Sequence, residues 1–554
     1  MVSFSINYIH KMTAHKKLKI GILLDSYLLP HWAFVALERV IQSLQANIDL
    51  VVLREQVKSS RLKQNRTKYS KIVYQFLNRL DGFLFKGSLA YAVPTSIEPF
   101  LKNIDTVQYP STESDINVIK AKQLDILVYL GCEQLSENIF ELAKYGMWTY
   151  QLGNPEFNRG GPAGFWEAVT RQASTGAVLK MLGQNEQILY RSEVMTRAFK
   201  PTQNKHQYHY LAAGFLSRQI NLLADLGEEQ FFNQVKKFNP ELDFYSYPDF
   251  QEPDNIEALS LLIQYIWNLG TRVIRKLFYY EHWYLFYCLN PNESNKLHQY
   301  KKLLPPADRF WADPHVIFEN DRYYLFFEEL MYNTNRGHIS AIEMDQEGNC
   351  KQPVSILKAD YHLSYPFVFK HNEKYYMVPE SVENKTIQLY ECTNFPYQWE
   401  FKMNLMEDIE TVDTTLFYQD NKWWLFTAIE DVKGSFYGDE LYLFWSDDLF
   451  SQQWNSHPLN PIISGVATAR PAGKIFVHNN RLYRPSQDCS VRYGHCTNFN
   501  EITELSEQAY SEKKVSAITP NWDKQVLGTH TFNQEGNLTI VDAYYDRFRF
   551  FNKD

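Results

Sequence analysis

The sequence predicts a multidomain chain: a doubly wound α/β domain over residues 18–200, a helical connector over 201–281 and a five-bladed β-propeller over 282–550. Three observations predict it. The chain opens in strand–helix–strand order, continues through a stretch of helical periodicity, and closes on five copies of one β-hairpin pattern.

The first domain rests on alternating signals. "LKIGILLDSY" (18–27) is an apolar β run, "HWAFVALERVIQSLQ" (31–45) a helix with apolar periodicity, and "IDLVVLRE" (48–55) a second strand. "LDILVYLGC" (124–132), the helix "ENIFELAKY" (137–145) and the strand "GMWTYQLG" (146–153) repeat that order. Such an order builds a parallel sheet, whose ligands sit at the carboxyl ends of its strands. The loop "NPEFNRGGPAGFWE" (154–167) follows one such end.

The middle region is helical in pattern, with the polar, Pro-containing interval "NPELDFYSYPDFQEPDN" (239–255) reading as loop. Its last segment, 258–287, is broken by Gly270, Arg272, Arg275 and Lys276, so its apolar run is too short to span a bilayer. It fits a helix packed between domains, or a basic, aromatic segment in peripheral contact with a membrane interface.

The propeller is read from "ADPHVIFENDRYYLFFEE" (312–329), "SYPFVFKHNEKYYMVPES" (364–381), "DTTLFYQDNKWWLFTAIE" (413–430), "ARPAGKIFVHNNRLYRPSQD" (469–488) and "GTHTFNQEGNLTIVDAYY" (528–545). Each is a short strand, a polar turn and a second apolar strand, recurring at about 50 to 60 residues. "EHWYLFYCL" (281–289) supplies a strand to close the ring. Inner strands run beside the axis of a propeller, so their starts face a shared funnel. Those starts are Asp313, Tyr365, Asp413, Arg470 and His530, with Gln487 and Asp488 of "RPSQD" as hydrogen-bonding groups for sugar hydroxyls. Two carboxylates, an arginine and a histidine make a polar binding site, or a structural channel whose polar groups satisfy one another.

Composition excludes several classes. The net charge of −8, without a sustained basic run, argues against nucleic acid as a partner. The aromatic content of 16% fits wide sheets and carbohydrate-binding surfaces. The six cysteines are scattered without metal-ligand spacing, and residues 1–17 have no apolar leader core, so a reducing, cytoplasmic setting and no metal are expected.

Arg159, Gly160, Pro162 and Trp166, in their strand–loop context, resemble the folate-dependent formyltransferases, and the resemblance covers roughly residues 18–200. It implies a formyltransferase-like α/β fold, a reduced folate as cofactor, and a site at Thr149, Gln151, Arg159 and Gly160. Thr149 stands where that family has its Asn and Gln151 where it has its His. The family's later Asp falls within 181–190, where the acid is Glu186. Glutamine cannot shuttle a proton, so this site is altered or retired.

"FWADPHVIF", "SYPFVF", "YYMVPES", "ARPAGKIF", "RLYRPSQD" and "GTHTF" resemble the N-terminal region of plant glucosamine inositolphosphorylceramide transferases, and of bacterial proteins that carry a formyltransferase-like domain ahead of it. More distantly they resemble five-bladed glycosidases of the arabinanase and xylosidase type. That likeness implies Asp313 as general base and Asp413 as the carboxylate that tunes it. Arg470 occupies the acid's place and cannot donate a proton, which leaves Glu380 or Glu329 as the acid and Arg470 as a holder of phosphate or carboxylate.

The expected function is a carbohydrate-active enzyme of glycan, glycolipid or glycosylated natural-product synthesis, a transferase or glycosidase-like, working on a sugar, sugar phosphate or glycolipid. The alternatives are formyl or acyl transfer to an amino sugar in the first domain, and a non-catalytic sugar-binding protein.

Overall fold

The computed structural model describes residues 17–549 apart from 55–70, 111–112, 132–134, 136, 184–185, 240–244 and 292–294. Residues 1–16 and Cys132 lie outside them. The chain divides into two compact units, one of residues up to 269 with 431–436, the other of 270–430 with 437 onward.

The first unit is built on a seven-stranded sheet: β1 (Leu18–Leu24), β2 (Ala46–Leu53), β3 (Thr106–Gln108), β4 (Ile126–Tyr129), β5 (Met147–Leu152), β6 (Ser174–Leu182) and β7 (Gln187–Met195), in the order β3-β2-β1-β4-β5-β6-β7. The expected parallel sheet holds for β1 to β5. β6 pairs antiparallel with β5, and β7 with β6. The short 183–186 connection permits only a hairpin there, because a parallel return needs a crossover. The sheet is therefore mixed.

Helix α1 (His31–Ile41) buries Trp32, Ala33 and Leu37 against Ile20 and Ile22 of β1. Helix α2 spans Ile72–Leu84. The helical stretch after residue 200 packs into this unit. Helices α3 (Pro201–Ala213) and α4 (Phe215–Val235) place Leu211, Phe215, Leu216 and Ile220 in the same core as β1.

Helix α5 (Asn255–Phe278) buries Ala258, Leu261 and Tyr265, and Tyr265 Oη donates to Asp81 of α2 at 2.9 Å. Its other face leaves Ile263, Trp267 and Ile274 exposed, Trp267 by 72%. No helix among the described residues is long and apolar enough to cross a membrane.

The second unit is a propeller of five blades. Four are β10–β13 (Arg309–Glu319, Arg322–Met331, Arg336–Met344, Val354–Leu357), β14–β17 (Ser364–His371, Lys374–Glu380, Thr386–Asn394, Gln398–Glu407), β18–β21 (Thr411–Gln419, Lys422–Ile429, Glu440–Ser446, Asn455–Ser456, with Ile463–Ser464 added at the edge) and β22–β25 (Phe476–His478, Arg481–Asp488, Cys496–Leu505, Tyr510–Ile518). The fifth joins both ends of the unit. Its outer strands are β8 (Tyr279–Cys288) and β9 (Lys301–Leu303), and its inner ones β26 (Phe532–Glu535) and β27 (Leu538–Phe548). β8 pairs antiparallel with β27 from Tyr279↔Phe548 to Cys288↔Thr539, which closes the ring.

Candidate functional site in the propeller funnel

Three inner strands carry the same irregularity near their starts. The register between inner and second strand slips between Ala312 and His315, Ser364 and Phe367, and Val412 and Thr415. Inside each slip one residue takes a positive φ: Asp313 (53°), Tyr365 (40°) and Asp413 (53°). Left-handed backbone at a non-glycine residue costs about 1–3 kcal/mol, and a bulge re-aims the residue it displaces. Pro314 and Pro366 follow two of them, placing a residue without an N–H where the ladder is already broken.

These devices gather a buried charged cluster. Arg470 Nε donates to Asp413 Oδ2 at 2.5 Å, and Gln487 Nε2 donates to the same oxygen at 2.8 Å. Arg470 Nη2 lies 3.8 Å from Glu380 Oε2, an oxygen with no hydrogen-bond partner among the described residues. Asp313 accepts from Thr531 Oγ1 at 2.8 Å and from the Tyr365 backbone N–H at 3.3 Å. His530 Nδ1 sits 2.6 Å from Asp542 Oδ2 and 3.6 Å from Asp313 Oδ1. Asp542 also accepts the N–H groups of Asp313, His530 and Thr531, tying the first inner strand to the last.

The electrostatics separate these groups. Burial raises Asp313 to about 7; Asp413 adds to the rise and His530 opposes it. Burial works against the charge on His530, yet Asp542 and Asp313 outweigh it and lift the imidazole to about 9. Burial, then the nearby Asp413, pushes Glu380 well above its usual carboxylate value, against the pull of Arg470. Burial also opposes the Arg470 charge, but Asp413 holds it in place.

The two acids available in place of Arg470 are thus distinguished. Glu329 accepts from Arg309, Trp311, Ser340 and His338 at 2.7–3.1 Å. Burial would raise it, but those donors win and hold it far below its usual value. Glu380 is shifted the other way, toward its protonated form.

Of the other sequence-predicted residues, Tyr365 offers the funnel its backbone, while its hydroxyl binds Thr415 and the Gly473 N–H at 2.8 and 2.7 Å in the core. Gln487 is fully buried and orients Asp413. Asp488 turns to Ser490, whose N and Oγ donate to it at 3.0 and 2.5 Å. Sequence reasoning missed Asp542, Trp283 and Tyr493. The Trp283 ring stacks 4.0 Å from His530, and the Tyr493 ring, 38% exposed, covers Arg470 at 4.9 Å and meets His530 edge-on at 5.3 Å. None of the three stands at an inner-strand start.

Asp313, His530 and Asp542 bring ligand-type atoms within 4.8 Å of one another. A cation there would have to displace the His530 proton from the nitrogen that faces Asp542.

In the first unit, Thr149 and Gln151 lie on β5, beside Lys180 and Val178 of β6. Glu186 pairs with Lys180 at 2.7 Å. Arg159 Nε donates to Pro155 O at 3.0 Å, and its guanidinium lies 4.4 Å over Tyr245. A Cβ on Gly160 would meet Phe250 O at 3.1 Å, and one on Gly161 the Trp166 ring at 2.7 Å, so this loop's glycines serve close packing. The loop is braced by buried Glu167, which accepts from Asn154 N at 3.1 Å and from Asn158 Nδ2 at 3.5 Å.

Residues 302–535 match the family described as glucosamine inositolphosphorylceramide transferase 1, N-terminal. The rice protein named glucosamine inositolphosphorylceramide transferase 1 (Oryza sativa subsp. japonica) is 34% identical over 210 residues, 37% of this chain and 28% of that protein. The protein of the same name from Arabidopsis thaliana is 34% identical over 209 residues, 37% of this chain and 27% of its own. Among solved structures, an exo-1,5-α-L-arabinanase from a bovine ruminal metagenomic library is similar at 14% identity over 45% of this chain and 97% of its own, with a TM-score of 0.30. The propeller is therefore similar to the N-terminal region of the glucosamine inositolphosphorylceramide transferases, and the chain spans little more than a quarter of the length of those relatives.

Proposed function

We propose that the protein is a carbohydrate-active enzyme of glycolipid synthesis or remodelling, with its chemistry in the propeller funnel. The observation that carries this reading is the meeting, in one buried cluster around Arg470 and Asp413, of Glu380, whose burial favours its protonated form, with Asp313, which ionises near pH 7. A group that gives a proton to a leaving oxygen and one that takes a proton from an incoming hydroxyl are what substitution at an anomeric carbon needs. Arg470 and Asp413 hold each other in place beside Glu380. The partly exposed Tyr493 ring offers a sugar an apolar face at the rim.

The relatives' name supplies the substrate class, an inositolphosphorylceramide-type glycolipid with an amino sugar. The α/β unit is read as a formyltransferase-like scaffold whose acid–base pair has been lost, since Gln151 cannot carry a proton. The exposed apolar face of α5 touches the membrane that holds the substrate, on its cytoplasmic side.

The test is mass spectrometry of glycosyl inositolphosphorylceramides incubated with the full chain, with and without a sugar nucleotide. Gain or loss of a hexosamine that Glu380→Gln and Asp313→Asn each abolish is expected. Unchanged glycolipid under both conditions would sink the enzymatic reading.

A further inference from the structure

The inner strands that bring Asp313, Tyr365 and Asp413 to the funnel run on for about 15 Å to the opposite face of the propeller. There they end around a cavity of about 350 Å³, to which all five blades contribute. Its walls include Phe318, Phe369, Tyr418 and Trp423. The Tyr418 ring lies 5.0 Å from Trp423 at an inclined angle and is 49% exposed.

Both lysines of this cavity are paired with carboxylates. Lys370 Nζ lies 3.5 Å from Glu319 Oε1 and 3.3 Å from Glu373 Oε2, and Lys474 Nζ 3.8 Å from Glu535 Oε2. Lys474 also donates to the Val316 carbonyl at 2.7 Å, which fixes its ammonium at the cavity wall. Just inside stands His315, fully buried, with neither ring nitrogen bonded to a described residue; its ring abuts Phe367, a lining residue, at 5.6 Å.

We propose that this far mouth of the propeller is a second binding site, for a neutral saccharide ring. Deepening the carbohydrate reading given above, the assignment follows from what the walls can contact. Aromatic faces take the C–H face of a sugar, while carboxylates accept from its hydroxyls and ammonium groups donate to them. Two cations among three carboxylates give no net attraction to a phosphate, which distinguishes this mouth from a site for sugar phosphates. The volume suits one or two sugar rings, within the range of small-molecule pockets. Such a site would hold the distal part of a glycan or a second chain, apart from the bond being made or broken in the funnel.

The experiment is saturation-transfer NMR and isothermal titration of the full chain with the methyl glycosides of glucose, galactose and N-acetylglucosamine, and with glucose 6-phosphate. Tyr418→Ala and Glu535→Gln alter the far mouth, and Glu380→Gln alters the funnel. Binding of at least one methyl glycoside should persist in Glu380→Gln and weaken about tenfold in each far-mouth variant, with their thermal midpoints unchanged. Three results would overturn the proposal: no saturation transfer to any glycoside at about 20 mM, a millimolar site being the weakest worth assigning; binding abolished by Glu380→Gln but untouched by Tyr418→Ala; or tighter binding of glucose 6-phosphate than of methyl glucoside. The second would leave the funnel reading intact and remove only this one.

Discussion

Asp313 and His530 make the funnel sensitive to pH in a calculable direction. In the folded chain Asp313 keeps its proton to about pH 7, against an ordinary value of 3.8, and His530 to about 9, against 6.5. Each group binds more protons folded than unfolded, so each lowers stability as pH rises: Asp313 between about 4 and 7, His530 between about 6.5 and 9. Asp313→Asn removes the first of these windows. Scanning calorimetry should find the variant's thermal midpoint gaining a few degrees on the wild type between about pH 4 and 7 and holding that gain above it. A constant difference over that range would contradict the environment assigned to Asp313. The two glutamates should separate just as clearly. Glu329→Gln leaves Arg309 short of its partner in a buried network and should cost about 2–3 kcal/mol in urea unfolding. Burial already drives Glu380 toward its neutral form, so Glu380→Gln should change the unfolding free energy by no more than about 0.5 kcal/mol while removing turnover.

At the scale of elements, the hairpins were legible because their turns are chemically marked. Asn320-Asp321, Asn372-Glu373, Asp420-Asn421 and Asn479-Asn480 each take positive φ at both positions, the geometry of a two-residue hairpin turn. Asn and Asp tolerate that conformation, so the turns stand out between apolar strands. The bulges carried a signal too, in the Pro after Asp313 and after Tyr365, but Asp413 is followed by Thr and shares the geometry without the mark. Gly473 shows how tightly the last two blades meet. Its φ is 131°, and a Cβ there would lie 1.9 Å from the Phe532 carbonyl oxygen. Gly473→Ala should therefore cost more than about 3 kcal/mol, seen as a lower denaturant midpoint or loss of soluble protein. Helix α5 makes a different claim. Ile263→Gln with Trp267→Gln exposes no core, since both side chains are already in solvent. Co-sedimentation with vesicles of neutral and anionic phospholipid should fall about tenfold in the double variant. Equal sedimentation would end the membrane reading of this helix.

For the whole molecule, the ring is held shut by β8 and β27, strands at opposite ends of the propeller sequence. A chain ending before Leu538 loses the partner of β8 and also Asp542, the carboxylate beneath His530. Circular dichroism and gel filtration should find that truncation unable to form the compact propeller. Five blades were readable because the hairpin recurs, and the same repeat points to equivalent residues at equivalent strand starts. Asp542 and Tyr493 were not, because one sits on a second strand and the other on a loop, reaching the funnel only after the ring closes. The mixed sheet of the first unit was half readable for a similar reason. Apolar runs mark strands but do not give the direction of the last two.

The most direct test is isothermal titration of the full chain with glucosamine 1-phosphate, compared with Asp313→Asn, Glu380→Gln and Arg159→Ala. Binding that weakens about tenfold in the two funnel variants and is unchanged in Arg159→Ala is the result predicted by a carbohydrate site in the propeller. Binding lost only in Arg159→Ala, or no binding to the wild type at all, would contradict it.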